Sequence, residues 1–144
     1  MLAKTKKPDA RLGESGEDYL EAVLLLGREA PVVRVRDLAE RLGVSRPSVV
    51  AALAQLERRG LVRHERYGGV ELTSAGRNRA EAVYERHDLL HRFLCDVLKV
   101  SEPVAAADAC RIEHALSPET VDRLALLVKR LGGCDRRPGR QDAR

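Results

Sequence analysis

Tryptophan is missing from this 144-residue chain, which has one Phe, three Tyr and a single Met. With aromatics at 3 %, the core has to be built from Leu, Val, Ala and Ile, which suits helices packed at close range. Cysteine is sparse as well. Cys95, Cys110 and Cys134 are odd in number and irregular in spacing, which argues against a disulfide framework and leaves thiols open to metal. No apolar run approaches the roughly 20 residues that a membrane-spanning helix needs. The start, MLAKTKKPDARLGESGEDY, has Lys and Arg but no apolar stretch of the kind that directs secretion. The expectation is a cytoplasmic protein with no membrane partner. Internal repeats and long low-complexity stretches are also lacking.

What is present is charge, unevenly placed. The net charge is +4 and the pI about 9.2. Between Pro31 and Tyr67 stand eight Arg against four acids, while 75–132 holds nine basic and nine acidic residues. A basic first half and a neutral second half point to a polyanionic partner for the first half only.

The pattern predicts a mainly α fold with one small β-hairpin. A polar arm is expected over 1–14 and a disordered tail over 133–144. A winged helix-turn-helix DNA-binding domain is expected over 15–74, and a helical metal-binding and dimerisation domain over 75–132. The first helix should run from Ser15, as its cap, to about Arg28, with Tyr19, Leu20, Val23, Leu24 and Leu26 on its apolar face. A short helix, Asp37 to Leu42, is stopped by Gly43. Ser45 caps the next helix, Pro47 sits in its first turn, and Val49, Leu53 and Leu56 face inward until Gly60 closes it. Two short strands, 61–63 and 70–73, flank Tyr67-Gly68-Gly69 as a wing. A long helix from Thr73 or Ser74 to about Lys99, another over 102–115 and a last one from Ser117-Pro118-Glu119 to Leu131 complete the chain.

A helix-turn-helix presents the start of its second helix to the major groove. Here that surface carries Ser45, Arg46, Pro47, Ser48 and Ala51. Arg46 suits a guanine edge or a phosphate, and Ser45 and Ser48 suit either. Arg34, Arg36, Arg63 and Arg66 are the candidates for phosphate contacts that position the protein. Such modules act in pairs, so the neutral half is the expected homodimer surface.

The densest chemical signal is Cys110-Arg-Ile-Glu113-His114. Positions i, i+3 and i+4 share a helical face, and thiolate, carboxylate and imidazole are all transition-metal ligands. Asp18 and Glu21 form a further i, i+3 pair on the first helix, and His87 and His91 an i, i+4 pair on the long one. Singly, each pair also fits a plain helix surface.

Taken with SGEDYLEAV, RYGGVELTSAGR, YERHDLLHRFL and ACRIEHALS, these features resemble the diphtheria-toxin-repressor family, which includes the manganese transport regulators. The match covers about 15–132. The resemblance implies a homodimer whose binding to operator DNA is activated by Mn(II) or Fe(II), a repressor that controls metal-uptake genes. By position it implies Asp18, Glu21, His87, Cys110, Glu113 and His114 as metal ligands, with His91 where an iron-type ancillary site has Glu. The set is a hybrid. Asp18 is the manganese-type residue and Cys110 the iron-type one, and Ala106 stands where the iron-type ancillary site has His. The hard Asp18 oxygen inclines the choice to Mn(II), with Fe(II) next and Co(II) or Zn(II) possible in vitro. A metal joining the first helix to helices of the second half would set the spacing of two recognition helices.

Two other classes compete. A hydrolytic metalloenzyme on Cys110, Glu113 and His114 has no separate general base and no His-Glu-x-x-His motif to support it, and would leave the helix-turn-helix idle; no small-molecule substrate is expected. A metal-independent winged-helix regulator sensing oxidants through Cys110 or Cys95 is the alternative reading.

Overall fold

The computed structural model describes residues 14–131; the expected tail and all but the last residue of the expected arm lie outside this range. It divides into two compact units, one up to Ala80 and one from Glu81 onward.

The first unit holds α1 (Glu14–Glu29), α2 (Val35–Leu42), α3 (Arg46–Arg58), β1 (Val62–His64), β2 (Val70–Leu72) and the start of α4 (Ser74–Arg92). Its core is aliphatic. Leu20, Leu38, Val49 and Leu53 are fully excluded from solvent, and Val23, Leu56 and Val62 nearly so. Each such side chain contributes about 1.5–3 kcal/mol of transfer free energy. Gly43 sits at φ 64°, ψ 35°, the left-handed conformation that ends α2 at little cost to a residue without Cβ. Ser45 is the cap of α3, its Oγ accepting from Ser48 N at 3.2 Å, and Pro47 lies in the first turn. These two local signals place the helix pair as the sequence predicts.

Some boundaries differ. Ser15 lies inside α1 and does not cap it, because the helix already includes Glu14. The second helix begins at Val35, two residues before the expected Asp37. Arg34 takes the cap position, and its backbone N–H donates to Asp37 Oδ2 at 3.2 Å, so Asp37 closes the first turn from within. The strands pair antiparallel with Val62 opposite Leu72 and His64 opposite Val70. A bridge from Val33 to Val70 (Val70 N donating to Val33 O at 2.8 Å) ties the α1–α2 connection to the wing. Thr73 anchors the next element: its hydroxyl donates to Gly60 O at 2.6 Å and accepts from Gly76 N at 3.1 Å.

The second unit holds the rest of α4, a π-helical turn (Phe93–Val97), α5 (Glu102–Ile112) and α6 (Pro118–Arg130). Leu90, Leu94, Ala105 and Ala109 make its core, with Phe93, Cys95, Val100, Leu116 and Leu124 packed around them. Ala105 and Ala109 are four residues apart and fully buried, so α5 approaches closely. The expected single helix to Lys99 is shorter and changes character. Leu98 N donates to Phe93 O, Val100 N donates to Leu94 O, and Lys99 takes a left-handed φ of 57° that reverses the chain. α5 ends at Ile112, three residues earlier than expected, and Glu113 is its C-cap. Among the described residues no helix is long and apolar enough to cross a membrane.

Candidate metal centre and nucleic-acid interface

The DNA-facing candidates all belong to the first unit. Ser45, Arg46, Pro47, Ser48 and Ala51 are exposed at the start of α3, where free backbone N–H groups add a partial positive charge. Ser45 and Ser48 are also joined through their hydroxyls at 2.8 Å. Arg34 and Arg36 are exposed at the start of α2, and Arg36 Nε lies 3.5 Å from Asp37 Oδ1. Arg63 is exposed on β1, and Arg66 stands at the wing tip beside Tyr67, its guanidinium carbon 5.9 Å from the ring centroid. Tyr67 is 95 % exposed, so the hairpin tip presents an aromatic ring and a cation outward with nothing covering them. The sequence by itself marks Tyr67 only as a turn residue.

In the second unit one carboxylate dominates. Glu113 is the one charged residue among the fully buried side chains described. Its Oε2 is 2.8 Å from His87 Nδ1, and its Oε1 is 3.1 Å from His114 Nε2 without making a hydrogen bond. Two imidazoles thus bracket a carboxylate that has lost all contact with water. His87, Cys110 and Glu113 each bring a donor atom to within 4.8 Å of the others, although Cys110 is otherwise exposed. A buried carboxylate is tolerated only when matched by positive charge or by strong donors. An oxygen left without a hydrogen bond, set among nitrogen and sulfur donors, fits a divalent transition metal. The i, i+3 spacing brings Cys110 to Glu113, and His114 lies beside Glu113, but not on a continuous helix. Glu113 keeps helical angles (φ −57°, ψ −33°) as the cap, and His114 lies in the turn beyond it.

Asp18 and Glu21, half-buried on α1, belong to the first unit. His91 does not join the His87 group. The two rings stack at 6.4 Å between centroids, and His91 Nε2 instead meets Glu102 Oε1 at 2.8 Å. Glu102 also accepts from the Cys95 thiol, Sγ to Oε2 at 3.4 Å, and Cys95 Sγ is 3.8 Å from His91 Nε2. The His91 and Cys95 hydrogen bonds hold the Glu102 carboxyl below its usual range. The Cys95 thiol is pushed up, first by partial burial and then by Glu102 and Asp96. Nothing in the sequence marks Glu102 as a ligand, and Cys95 stands out there only as a scattered thiol open to metal or oxidant. They stand seven residues apart, and only the reversal at Lys99 brings the first turn of α5 back to the end of α4.

A family model described as the N-terminal DNA-binding domain of the iron-dependent repressors matches residues 11–70, and one described as their metal-binding and dimerisation domain matches 73–138. The transcriptional regulator MntR of Escherichia coli O6:H1 is 39 % identical over 124 residues, covering 86 % of this chain and 79 % of that protein. A helix-turn-helix transcriptional regulator of Methanocaldococcus jannaschii is 35 % identical over 121 residues, covering 83 % and 96 %. Among solved structures, a manganese-dependent transcriptional repressor in complex with manganese superposes with a TM-score of 0.74 at 33 % identity, covering 85 % of this chain and 55 % of that one. The chain therefore spans about half the length of the solved repressors it resembles. The chain belongs to the iron-dependent repressor family, the diphtheria-toxin-repressor and manganese-transport-regulator group of metal-dependent transcriptional repressors.

Proposed function

We propose that this protein is a cytoplasmic, non-enzymatic repressor that binds operator DNA as a homodimer when loaded with Mn(II) or Fe(II), and so controls metal-uptake genes. The observation that carries the reading is the buried Glu113 carboxylate, bracketed by His87 and His114 and lacking a hydrogen bond on Oε1. The proposed ligands are His87, Cys110, Glu113 and His114 from the second unit, with Asp18 and Glu21 added on the strength of the family resemblance. His91 is a lesser member, since it is turned to Glu102. Hard oxygens from Asp18, Glu21 and Glu113 suit Mn(II), whereas the Cys110 sulfur suits Fe(II), Co(II) or Zn(II).

Bound metal would supply the positive charge that compensates Glu113 and so favour one conformation of the chain. Taking a dimer from about 1 % to about 99 % competent requires the competent state to bind metal about 10⁴-fold more tightly. Arg46, Ser45 and Ser48 would then meet base edges or phosphates, with Arg34, Arg36, Arg63 and Arg66 on the backbone. The homodimer rests on the match to the family's dimerisation domain, and Val104, Ile112, Leu126, Leu127 and Leu131 are exposed aliphatic side chains of the second unit that such a face could cover.

The deciding experiment titrates a fluorescent operator with protein in Mn(II), Fe(II), Co(II) or Zn(II), with bound metal measured in parallel. Metal should raise operator affinity by at least tenfold, and Cys110→Ala or His114→Ala should remove that gain while the circular dichroism spectrum stays the same. Parent-like metal response in both variants would refute the ligand assignment.

A further inference from the structure

The second donor cluster lies apart from Glu113 and joins His91 to Cys95 and Glu102, two residues that the family resemblance does not mark as ligands. His91 lies in the last turn of α4, Cys95 in the π-helical turn, and Glu102 opens α5. Their donor atoms fall within 4.8 Å of one another. A tetrahedral zinc-like ion with one sulfur at about 2.3 Å and nitrogen and oxygen at about 2.0–2.1 Å needs donor–donor separations of about 3.3–3.6 Å. The observed separations are 3.8 Å for Cys95 sulfur to His91 nitrogen, 3.4 Å for sulfur to Glu102 Oε2 and 2.8 Å for nitrogen to Glu102 Oε1, so the carboxylate shows a different oxygen to each partner and has to turn for one oxygen to serve a shared ion. The first two already match to within a few tenths of an ångström. The third is a hydrogen bond whose proton a cation would displace, and it has to open by about half an ångström to reach the tetrahedral spacing.

The surrounding backbone makes the arrangement firm. The π-helical turn is an irregularity that often marks a working site. The left-handed Lys99 and the Val100-to-Leu94 hydrogen bond then return the chain so that Glu102 faces His91. Cys95 packs on the Leu90–Leu94–Ala105–Ala109 core, which limits its movement, while Glu102 is 72 % exposed and leaves the centre open to ions from solvent. His87 and His91 are four residues apart on one helix, yet one turns to Glu113 and the other to Glu102. The helix therefore serves two separate donor sets.

We propose that His91, Cys95 and Glu102 form a second metal centre that takes a thiophilic late first-row dication, Zn(II) or Co(II), with three protein ligands and a fourth position open to water. Thiolate and imidazole select against Mn(II), which prefers oxygen. On binding, the Cys95 thiol proton and the proton held between His91 Nε2 and Glu102 both pass to solvent, and sulfur, imidazole nitrogen and carboxylate oxygen each donate a pair to the ion; no redox change is involved.

The test uses Co(II) as an optical probe in the full chain carrying Cys110→Ala and Cys134→Ala, where Cys95 is the sole thiol. The expected result is a thiolate-to-cobalt charge-transfer band that saturates at one Co(II) per chain. That band should fall at least tenfold in apparent affinity when Glu102→Gln or His91→Ala is added. In the unaltered chain, one equivalent of Zn(II) beyond that taken by the Glu113 centre should slow alkylation of Cys95, read by peptide mass spectrometry, at least tenfold. Absence of the band together with unprotected Cys95 would overturn the proposal, as would a band indifferent to both added substitutions. The operator titration above is made on the unaltered chain, so such a failure leaves it to stand or fall separately.

Discussion

Glu113 is an expensive residue for the metal-free chain. Its charge is taken wholly out of water, and one oxygen goes without a hydrogen bond. Glu113→Gln keeps the volume and removes the charge. The Gln amide still meets His87, which reaches water and is not left as a buried charge, so metal-free stability should stay level or rise slightly, while the metal-induced rise in melting temperature disappears. Thermal denaturation with and without Mn(II) checks both halves, and a variant that still responds to metal would contradict the role assigned. Gly76 illustrates a different constraint. A Cβ built there would stand 1.8 Å from Leu61 O, which is backbone and has little room to yield. Gly76→Ala should therefore cost about 1–3 kcal/mol or more by forcing α4 away from the Leu61 segment. A melting temperature equal to that of the parent would show that the contact relaxes. In the sequence Gly76 sits in an ordinary SAG stretch, so this need became visible only with the two segments placed together.

The start of α3 depends on Ser45. Its hydroxyl satisfies the Ser48 N–H that the helix leaves without a partner, so Ser45→Ala should cost about 1 kcal/mol in chemical denaturation. Arg46 is exposed one residue on and makes no helix cap, so Arg46→Ala should leave stability within about 0.5 kcal/mol. The same change should weaken operator binding by about 1–3 kcal/mol if the guanidinium reads a base, or lower the salt slope by about one if it meets a phosphate. Fluorescence anisotropy at several salt concentrations distinguishes the two, and unchanged affinity and slope would remove Arg46 from the interface. Helix starts marked by Ser with Pro close behind were legible at Ser45, Ser101 and Ser117, because the signal is local. At Ser101 the cap position holds without a side-chain hydrogen bond, whereas Ser117 accepts from Thr120 N at 3.3 Å. The end of α4 was not legible, because Phe93–Val97 continues the apolar spacing of the helix while its backbone widens.

For the assembled protein, metal linkage sets a measurable scale. If metal binds only the folded state, a concentration about 100 times Kd adds about 2.7 kcal/mol. For a chain of this length that corresponds to roughly 5–10 °C in melting temperature. Adding chelator to the Mn(II)-loaded protein should reverse the shift, and a melting temperature unmoved by chelator would exclude tight binding to the native state. The family's second domain is one of dimerisation, and the exposed aliphatics on α5 and α6 are consistent with a covered face there.

From the residues alone came the mainly helical class, the helix-turn-helix with its wing, the basic first half and the grouping of Cys110, Glu113 and His114. Each rests on information carried within a few residues: periodicity, a cap, a turn glycine, an i, i+4 spacing. Folding decided what those groups meet. Burial singled out Glu113 among the described acidic residues, paired His87 with it, and sent His91 to Glu102 and Cys95. The difference is physical: helical spacing puts side chains on one face, whereas their partners across the core depend on where the chain reverses. Here that reversal hangs on the π-helical turn and the left-handed Lys99.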